Sequence, residues 1–226
     1  MDAYLSLWET YGGQMLSTFW TNMQLTFWAA IAAFALGTLL AVMRISPVPS
    51  LRWVGTAYVN IFRNTPLTII LTFGVLVLFG VFQVSLASDF NLNFFRIAIV
   101  GLTIYHAAFF CEAIRSGVNT VPLGQAEAAR AIGLSFLPAA KIVILPQAFR
   151  GSIAPIGNVL IALIKNSTVA TAGSVAEISG LMKTMIEFRP DVGILVFLTV
   201  AVFFVIVVIP VGLLTTWASK KLAVSR

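Results

Sequence analysis

Residues 192–219 read VGILVFLTVAVFFVIVVIPVGLLTTWAS and contain no charged side chain. A helix rises about 1.5 Å per residue, so about 20 apolar residues cross the hydrocarbon core of a bilayer, which is about 30 Å thick. The whole 226-residue chain has a similar character, since 59% of its residues are hydrophobic and only 10% are charged. A soluble domain keeps about a quarter of its residues charged. Much of the surface must therefore face lipid, where each spanning segment satisfies its own backbone hydrogen bonds.

Four earlier apolar runs predict four further membrane helices. The first run has no charge between Glu9 and Arg44, and the second has none between Asn64 and Ser88. The third carries charge near its ends, and the fourth is interrupted by Lys165. The sequence therefore predicts an all-α membrane protein, a single transmembrane domain over residues 1–226. Its five helices are expected at residues 18–44, 60–84, 93–116, 151–176 and 192–219.

The distribution of positive charge predicts the orientation of these helices. The segment before the first helix has no lysine or arginine, whereas the segments after the first and third helices and the C-terminal tail contain several. Cytoplasmic loops carry the excess of positive charge in membrane proteins. We therefore expect the N-terminus outside, the C-terminus in the cytoplasm, and a long cytoplasmic loop at residues 117–150.

Composition also argues against several classes of function. The net charge of +6 comes from cations scattered between apolar runs, so no basic face for nucleic acid is expected. The chain has one cysteine, one histidine and no H-E-x-x-H sequence, which disfavours a disulfide, a metal site or a membrane-embedded enzyme. We predict no catalytic or metal-binding residues and no cofactor in this chain.

The loop at residues 117–150 is too polar to span a membrane, yet its pattern predicts ordered structure. Pro122 suits the first turn of a helix, where its missing N–H is harmless. The alanine-rich stretch that follows favours a helix, and Gly133 is placed to end that helix in a left-handed conformation. Pro138 would start a second short helix and Pro146 would stop it. The loop should therefore hold two short helices joined by a turn.

The first of these short helices has a distinctive surface. Glu127 and Arg130 share one side of it, since residues three apart are neighbours on a helix. Alanines at 126, 128, 129 and 131 keep the helix thin. Such a helix is suited to enter a groove on another protein. A surface helix that merely covers the bundle would have the same pattern, so the residues alone leave both interpretations open.

Several motifs in and around the loop resemble the permease subunits of ABC importers. Glu127-Ala128-Ala129, followed by Gly133 and by the segment ILP at 144–146, resembles the EAA loop of that family. The flanking sequence is similar to the polar amino-acid class, which includes histidine, glutamate, glutamine and arginine systems. The resemblance covers nearly the whole chain from Thr18 onward. The other matching segments are EAIR at 112–115, VPLGQ at 121–125, LPQAFR at 145–150, RNTPL at 63–67 and KNS at 165–167.

The resemblance implies a type I importer in which this chain supplies the membrane part. Two permeases, identical or homologous, would form the pathway, two ATPase subunits would bind on the cytoplasmic side, and an extracytoplasmic solute-binding protein would deliver substrate. The loop would be the coupling helix that docks on the ATPase. No G-x-x-x-x-G-K-[ST] sequence occurs in the chain, so ATP and Mg²⁺ would bind to the partner and this subunit would not be an enzyme. The docking residues would be Glu127, Ala128, Ala129, Arg130 and Gly133.

Lys165 is an ionisable residue within an apolar run, and Asn166, Ser167 and Thr168 follow it as a polar break. Charged residues inside membrane helices usually face a bundle interior or a water-filled cavity, where irregular helices are also tolerated. These four residues are therefore candidates for the substrate pathway, with Lys165 attracting a substrate carboxylate. Alternatively, Lys165 snorkels to the interface or pairs with a nearby acid.

A second pathway candidate is the segment Arg63, Asn64, Thr65 and Pro66, where the second helix is expected to begin. Arg63 could equally be an interfacial anchor on the cytoplasmic side. Glutamate, glutamine and aspartate systems of the family resembled here often have Arg-Asn at these two positions. The resemblance therefore favours an acidic amino acid, with glutamate as the expected substrate.

The main alternative function is a proton-coupled secondary transporter of amino acids. It would need acids within the membrane, and the apolar runs offer almost none besides Glu112 at the end of one. His106 could relay protons or simply hydrogen-bond a neighbouring helix. A passive channel is disfavoured by the docking loop. The sequence therefore predicts a multi-pass permease of the bacterial cytoplasmic membrane that imports a polar amino acid with energy from a separate ATPase.

Overall fold

The computed structural model describes residues 2–222, and this part of the chain is almost entirely helical. The all-α fold expected from the sequence is confirmed. The helices are α1 (Asp2–Ile45), α2 (Pro49–Arg63), α3 (Leu67–Phe73, continued by a π-helix, Gly74–Phe79), α4 (Phe90–Val118), α5 (Leu123–Ala131), α6 (Phe136–Ala139, continued by a π-helix, Ala140–Ile144), α7 (Leu145–Gly151), α8 (Ile153–Asn166, continued by a 3₁₀ helix, Ser167–Gly173), α9 (Ile178–Phe188, followed by a 3₁₀ turn, Pro190–Val192) and α10 (Gly193–Leu222).

Within the described residues, four helices are long and apolar enough to cross a membrane. They are Tyr4–Ile45, Phe90–Val118, Ile153–Gly173 and Pro190–Leu222. The pair Pro49–Arg63 and Leu67–Phe79 passes the same test only when it is counted as one broken span, which would bring the number to five.

The first helix is much longer than the expected 18–44, because α1 already begins at Asp2. Its N-terminal part contains Gly12 and Gly13, each of which weakens a helix by about 1 kcal/mol relative to alanine but does not break it. Leu7 and Met15 are almost fully buried on either side of this glycine pair. Their burial offsets the weak local propensity and keeps the polar start of the chain helical.

The second helix also differs from the expected 60–84. The arginine-containing segment before it forms a helix of its own, α2. Residues 64–66 are not helical and separate α2 from α3. Pro66 is the cause, because its ring disfavours a helical conformation at Thr65 and it cannot donate a backbone hydrogen bond. Pro66 itself has φ −59° and ψ 135° and directly precedes α3.

The chain divides into two compact units. The first unit comprises the chain up to Ala29, Pro66–Leu102 and Ala162–Pro210. In this unit α3 packs against the 3₁₀ helix that continues α8. A cluster of buried apolar side chains in this unit joins the start of α1 to α9 and the first half of α10, through Leu7, Met15, Ile178, Met185, Val192, Val196 and Val200.

The second unit comprises Ala30–Thr65, Thr103–Ile161 and the chain from Val211 onward. Its core lies between the second part of α1, α2 and α4, where Phe110 and Cys111 are fully buried. Gly37 permits the close approach of α1 to α4, since a Cβ at that position would lie only 2.6 Å from the Cβ of Phe110 and 2.9 Å from the carbonyl oxygen of Ala107. A side chain at Gly37 would therefore force these helices apart.

Candidate functional site

The predicted docking helix is present as α5, and its end has a well-defined hydrogen-bond pattern. Pro122 directly precedes the helix, as its sequence position predicts. Gly133 adopts φ +88°, a left-handed conformation that favours glycine. The N–H of Gly133 donates to the carbonyl of Arg130 (2.9 Å), and the N–H of Leu134 donates to the carbonyl of Ala129 (3.0 Å). These two bonds form a Schellman motif, which satisfies carbonyls that the helix end would otherwise leave free.

One side of α5 packs inward and the other is open. Ala129 is buried, whereas Glu127, Ala128 and Arg130 are exposed. Within the described part of the chain, neither Glu127 nor Arg130 forms an ion pair. Leu123 and Ile132 at the two ends of the helix are 82% and 77% exposed. The open face therefore presents unpaired charge together with uncovered apolar side chains, a combination suited to contact with another protein.

In the second half of the loop, the prediction that Pro146 stops a helix is wrong. This proline does not stop a helix but lies in the first turn of α7, which continues to Gly151. The turn before it is widened into the π-helix Ala140–Ile144, and the N–H of Leu145 donates to the carbonyl of Ala140. Because proline has no N–H, an undisturbed α-helix through it would lose a hydrogen bond and meet a steric clash. The widened turn resolves this conflict, as π-bulges often do.

Residues 63–65 form the C-terminal end of α2 and the chain that follows it. The side chain of Asn64 donates to the carbonyl of Asn60 (2.7 Å), and the hydroxyl of Thr65 donates to the carbonyl of Ile61 (2.8 Å). Both side chains therefore satisfy carbonyls at the end of the helix. Arg63 lies with its guanidinium carbon 5.7 Å from the centre of the Phe109 ring and remains partly exposed.

Several arginines of the second unit lie around the carboxylate of Glu112. Arg44 pairs with one of its carboxylate oxygens, and Nη2 of Arg115 lies 2.9 Å from the other. Nη1 of Arg63 lies 4.0 Å from Glu112 Oε1. Arg63, one of the pathway candidates, therefore lies near a carboxylate that already has two closer cations. The spacing of Glu112 and Arg115 hints at this cluster in the sequence, but nothing there indicates the contact with Arg44.

Lys165 lies close to the point where α8 passes into a 3₁₀ helix. The α-helix ends at Asn166 and a 3₁₀ helix begins at Ser167, which is fully buried. The side chain of Lys165 is exposed, and in residues 4–222 no acid pairs with it. The hydroxyl of Thr168 donates to the carbonyl of Lys165 (2.8 Å). Of the interpretations left open by the sequence, the structure therefore offers no support for pairing of Lys165 with an acid.

The two pathway segments fall in different compact units. Arg63, Asn64 and Thr65 belong to the second unit, whereas Pro66 and the segment from Lys165 to Thr168 belong to the first.

Sequence reasoning missed a buried polar cluster in the first unit. Asn22, Ser167 and Glu177 are all 0% exposed. The side-chain nitrogen of Asn22 donates to the hydroxyl of Ser167 (2.9 Å) and to the carboxylate of Glu177 (3.0 Å). Glu177 also caps the N-terminus of α9 by accepting the backbone N–H groups of Ser179 and Gly180. An uncharged amide within the apolar run of α1 was the available signal for Asn22.

An open pocket of ≈460 Å³ lies in the same unit, and two of its lining residues, Thr21 and Ala176, are the chain neighbours of Asn22 and Glu177. Its polar lining comes from Thr21, Gln24, Asn91 and Ser174, and Phe95 supplies an aromatic wall. None of the residues that line it is charged. It can therefore offer hydrogen bonds to a polar solute but no ionic contact.

Comparison with known proteins assigns this architecture to a family. Residues 33–224 match the family described as binding-protein-dependent transport system inner membrane component. The chain is 43% identical over 226 residues to the glutamate transport system permease protein of Corynebacterium efficiens, covering 98% of this chain and 99% of that protein. It is 38% identical over 195 residues to a probable glutamine ABC transporter permease protein of Bacillus subtilis, covering 86% of each.

A solved structure supports the same fold. The crystal structure of an amino acid ABC transporter with histidines superimposes with a TM-score of 0.79 at 23% sequence identity, covering 96% of this chain and 97% of that one. The all-helical structure, the matched family and the relatives all agree. The chain therefore belongs to the binding-protein-dependent transport system inner membrane components, the multi-pass permeases of ABC importers.

Proposed function

We propose that this chain is the pathway-forming permease subunit of an ATP-driven importer of glutamate. The observation that carries the proposed pathway is Lys165, an exposed and unpaired cation on a helix apolar enough to span a membrane, and the choice of glutamate comes from the relative named above. An ionisable group in that setting usually faces a cavity or a pathway. A substrate carboxylate is its natural partner, and the relative with 43% identity is a glutamate permease by name.

The energy would come from a separate ATP-binding subunit that holds ATP and Mg²⁺. The proposed contact is α5, where Glu127, Ala128 and Arg130 are exposed while Ala129 and Gly133 shape the helix and its end. This arrangement requires α5 to face the cytoplasm, with the N-terminus outside. A second permease, identical or homologous, would complete the pathway, and an extracytoplasmic solute-binding protein would deliver the amino acid.

The proposed transport cycle uses α5 as a lever. Closure of two ATP-binding subunits against each other would carry the α5 helices with them. Rigid-body rocking of the helix bundles would then open the pathway outward, where it accepts substrate, and hydrolysis in the partner would return it inward. Lys165, Asn166, Ser167 and Thr168, together with the segment from Arg63 to Pro66, are the proposed pathway residues.

The test is uptake of labelled glutamate by the permease reconstituted in proteoliposomes with its ATPase subunit and binding protein. Unlabelled glutamate should compete best, ahead of aspartate, glutamine and arginine. Lys165→Ala should raise the KM for glutamate about tenfold, which corresponds to about 1.4 kcal/mol of lost binding. Unchanged kinetics would remove Lys165 from the pathway. Uptake driven by a proton gradient without ATP would refute the proposed energy source.

A further inference from the structure

The carboxylate of Glu177 is fully buried and has no role in the transport cycle described above. Five donor groups lie within hydrogen-bond reach of it, from α1, the 3₁₀ helix and the first turn of α9. They are the side-chain nitrogen of Asn22, the hydroxyls of Thr171 and Ser179, and the backbone N–H groups of Ser179 and Gly180. A capping residue alone would need only the last two.

Both oxygens of this carboxylate are occupied. Oε2 accepts the N–H of Ser179 (2.9 Å), and Oε1 accepts the N–H of Gly180 (3.1 Å). A glutamine side chain has one oxygen and one NH₂ group. Whichever way a glutamine at 177 is turned, its NH₂ would face one of these backbone donors. The site therefore distinguishes a carboxylate from an amide of nearly the same shape.

The same cluster reaches the backbone just after Lys165. Asn22 bridges Glu177 and Ser167 with its nitrogen, and its oxygen accepts the N–H of Ile178 (3.1 Å). The hydroxyl of Ser179 lies 3.0 Å from the carbonyl of Thr168, so its proton is shared between that carbonyl and Glu177. The start of the 3₁₀ helix is thus attached at several points to residues around Glu177.

A 3₁₀ helix of this length needs stabilising contacts from other segments of the chain. Its hydrogen-bond geometry is poorer than that of an α-helix, and runs longer than a few residues are uncommon. The segment Ser167–Gly173 is longer than that, so it depends on contacts outside itself. Lys165 occupies the last turn of α8, directly before the segment that the cluster holds.

We propose that Glu177 and Asn22 are positioning residues that hold the start of the 3₁₀ helix and thereby orient Lys165 towards the substrate. The inference rests on the proposed function, because it assumes that Lys165 contacts the transported amino acid. Glu177 does not touch substrate in this proposal. Its effect on transport passes through Lys165 and must disappear when Lys165 is absent.

The first test is a double-mutant cycle on glutamate uptake by the reconstituted complex. Glu177→Gln should raise KM about tenfold while the maximal rate per folded complex changes less than twofold. In a Lys165→Ala background the same substitution should add less than a twofold change in KM, since coupled residues are not additive. Equal effects of Glu177→Gln in both backgrounds would overturn the proposal. Glu187→Gln, an exposed acid on the same helix α9, is the matched control and should leave KM unchanged.

The second test does not depend on which amino acid is transported. The chain has a single cysteine, Cys111, which is buried, so a Lys165→Cys variant carries one exposed reporter thiol. We expect Glu177→Gln to change the rate of maleimide labelling at this position at least threefold in membranes. An unchanged rate would overturn the proposal. If wild-type complex failed to import glutamate while labelling still responded to Glu177→Gln, the proposed substrate would be wrong and the positioning role would stand.

A milder variant covers the case in which Glu177→Gln does not fold. Thr171→Val removes one donor to Glu177 while nearly keeping the shape of the side chain. It should raise KM about threefold and change the labelling rate in the same direction. Wild-type values in both measurements would overturn the proposal.

Discussion

Glu127 and Glu177 place the same side chain in opposite surroundings. Glu127 is exposed on α5, and within residues 4–222 it has no ion-pair partner. Glu177 is 0% exposed and is surrounded by donors from three segments of the chain. Glu127 shares its side of α5 with the exposed Arg130, whereas the neighbours of Glu177 are polar groups that donate hydrogen bonds to it.

The two glutamates are therefore expected to affect different properties, the stability of the chain and its coupling to a partner. Removal of a buried acceptor destabilises the folded chain, because the buried donors that it leaves unsatisfied cost free energy. An exposed charge without an ion-pair partner in its own chain is available to a partner protein or to a substrate. Substitution of Glu177 should therefore reduce stability, and substitution of Glu127 should reduce coupling to the ATPase without changing stability.

The largest effect is expected from Glu177→Ala. This change leaves several buried donors without an acceptor and should lower the free energy of unfolding by about 3 kcal/mol, since each unsatisfied group costs about 1–3 kcal/mol. The measurement is the unfolding temperature of the purified permease in detergent. Glu187→Ala on the same helix is the control, with an expected change below about 0.5 kcal/mol. Equal unfolding temperatures for the two variants would refute the contrast between buried and exposed acids.

Charge reversal at Glu127 should give the second largest effect. Glu127→Lys should reduce uptake at least about tenfold, which corresponds to about 1.4 kcal/mol of lost docking, while membrane insertion and unfolding temperature stay as in the wild type. Co-purification of the ATPase subunit measures docking directly. Glu187→Lys reverses an exposed acid in the other compact unit and should leave uptake intact. Normal uptake by the Glu127 variant would count against α5 as the docking helix.

The smallest effect concerns the end of α5. Gly133→Ala places a Cβ in a left-handed conformation, which costs about 1–2 kcal/mol although the surroundings are open. The last turn of α5 should fray, and uptake should fall a few-fold. Gly124→Ala also has open space but lies within the helix, where alanine is favoured, so it should not lower uptake. Equal uptake by the two variants would show that the end of α5 does not contribute to docking.

Local sequence rules predicted the start and end of α5 well. Pro122 before the helix and Gly133 after it act through their own backbone restrictions, which need no knowledge of distant residues. The same rules failed for Pro146, because its effect depended on whether the preceding turn could widen into a π-helix. They also missed the early start of α1, where the burial of Leu7 and Met15 compensates for two consecutive glycines.

Contacts between distant segments were beyond local rules. Arg44 and Glu112 pair across two helices, and Asn22 meets Glu177 across most of the chain length. Neither pairing follows from spacing, since both depend on how the helices pack. Lys165 is a different case, because a cation within an apolar run stands out in the sequence. Only the structure revealed that no acid among the described residues pairs with it.

The sequence by itself determined that this is an all-α membrane protein with a short helix around Glu127, because hydropathy and the backbone restrictions of proline and glycine act locally. Tertiary structure alone decided that Asn22 and Glu177 meet, that the chain breaks before α3 with helix on both sides, and that Gly37 brings α1 against Phe110. The physical reason is that a buried hydrogen bond or a close helix contact is selected by the fit of distant surfaces. No window of neighbouring residues contains that information.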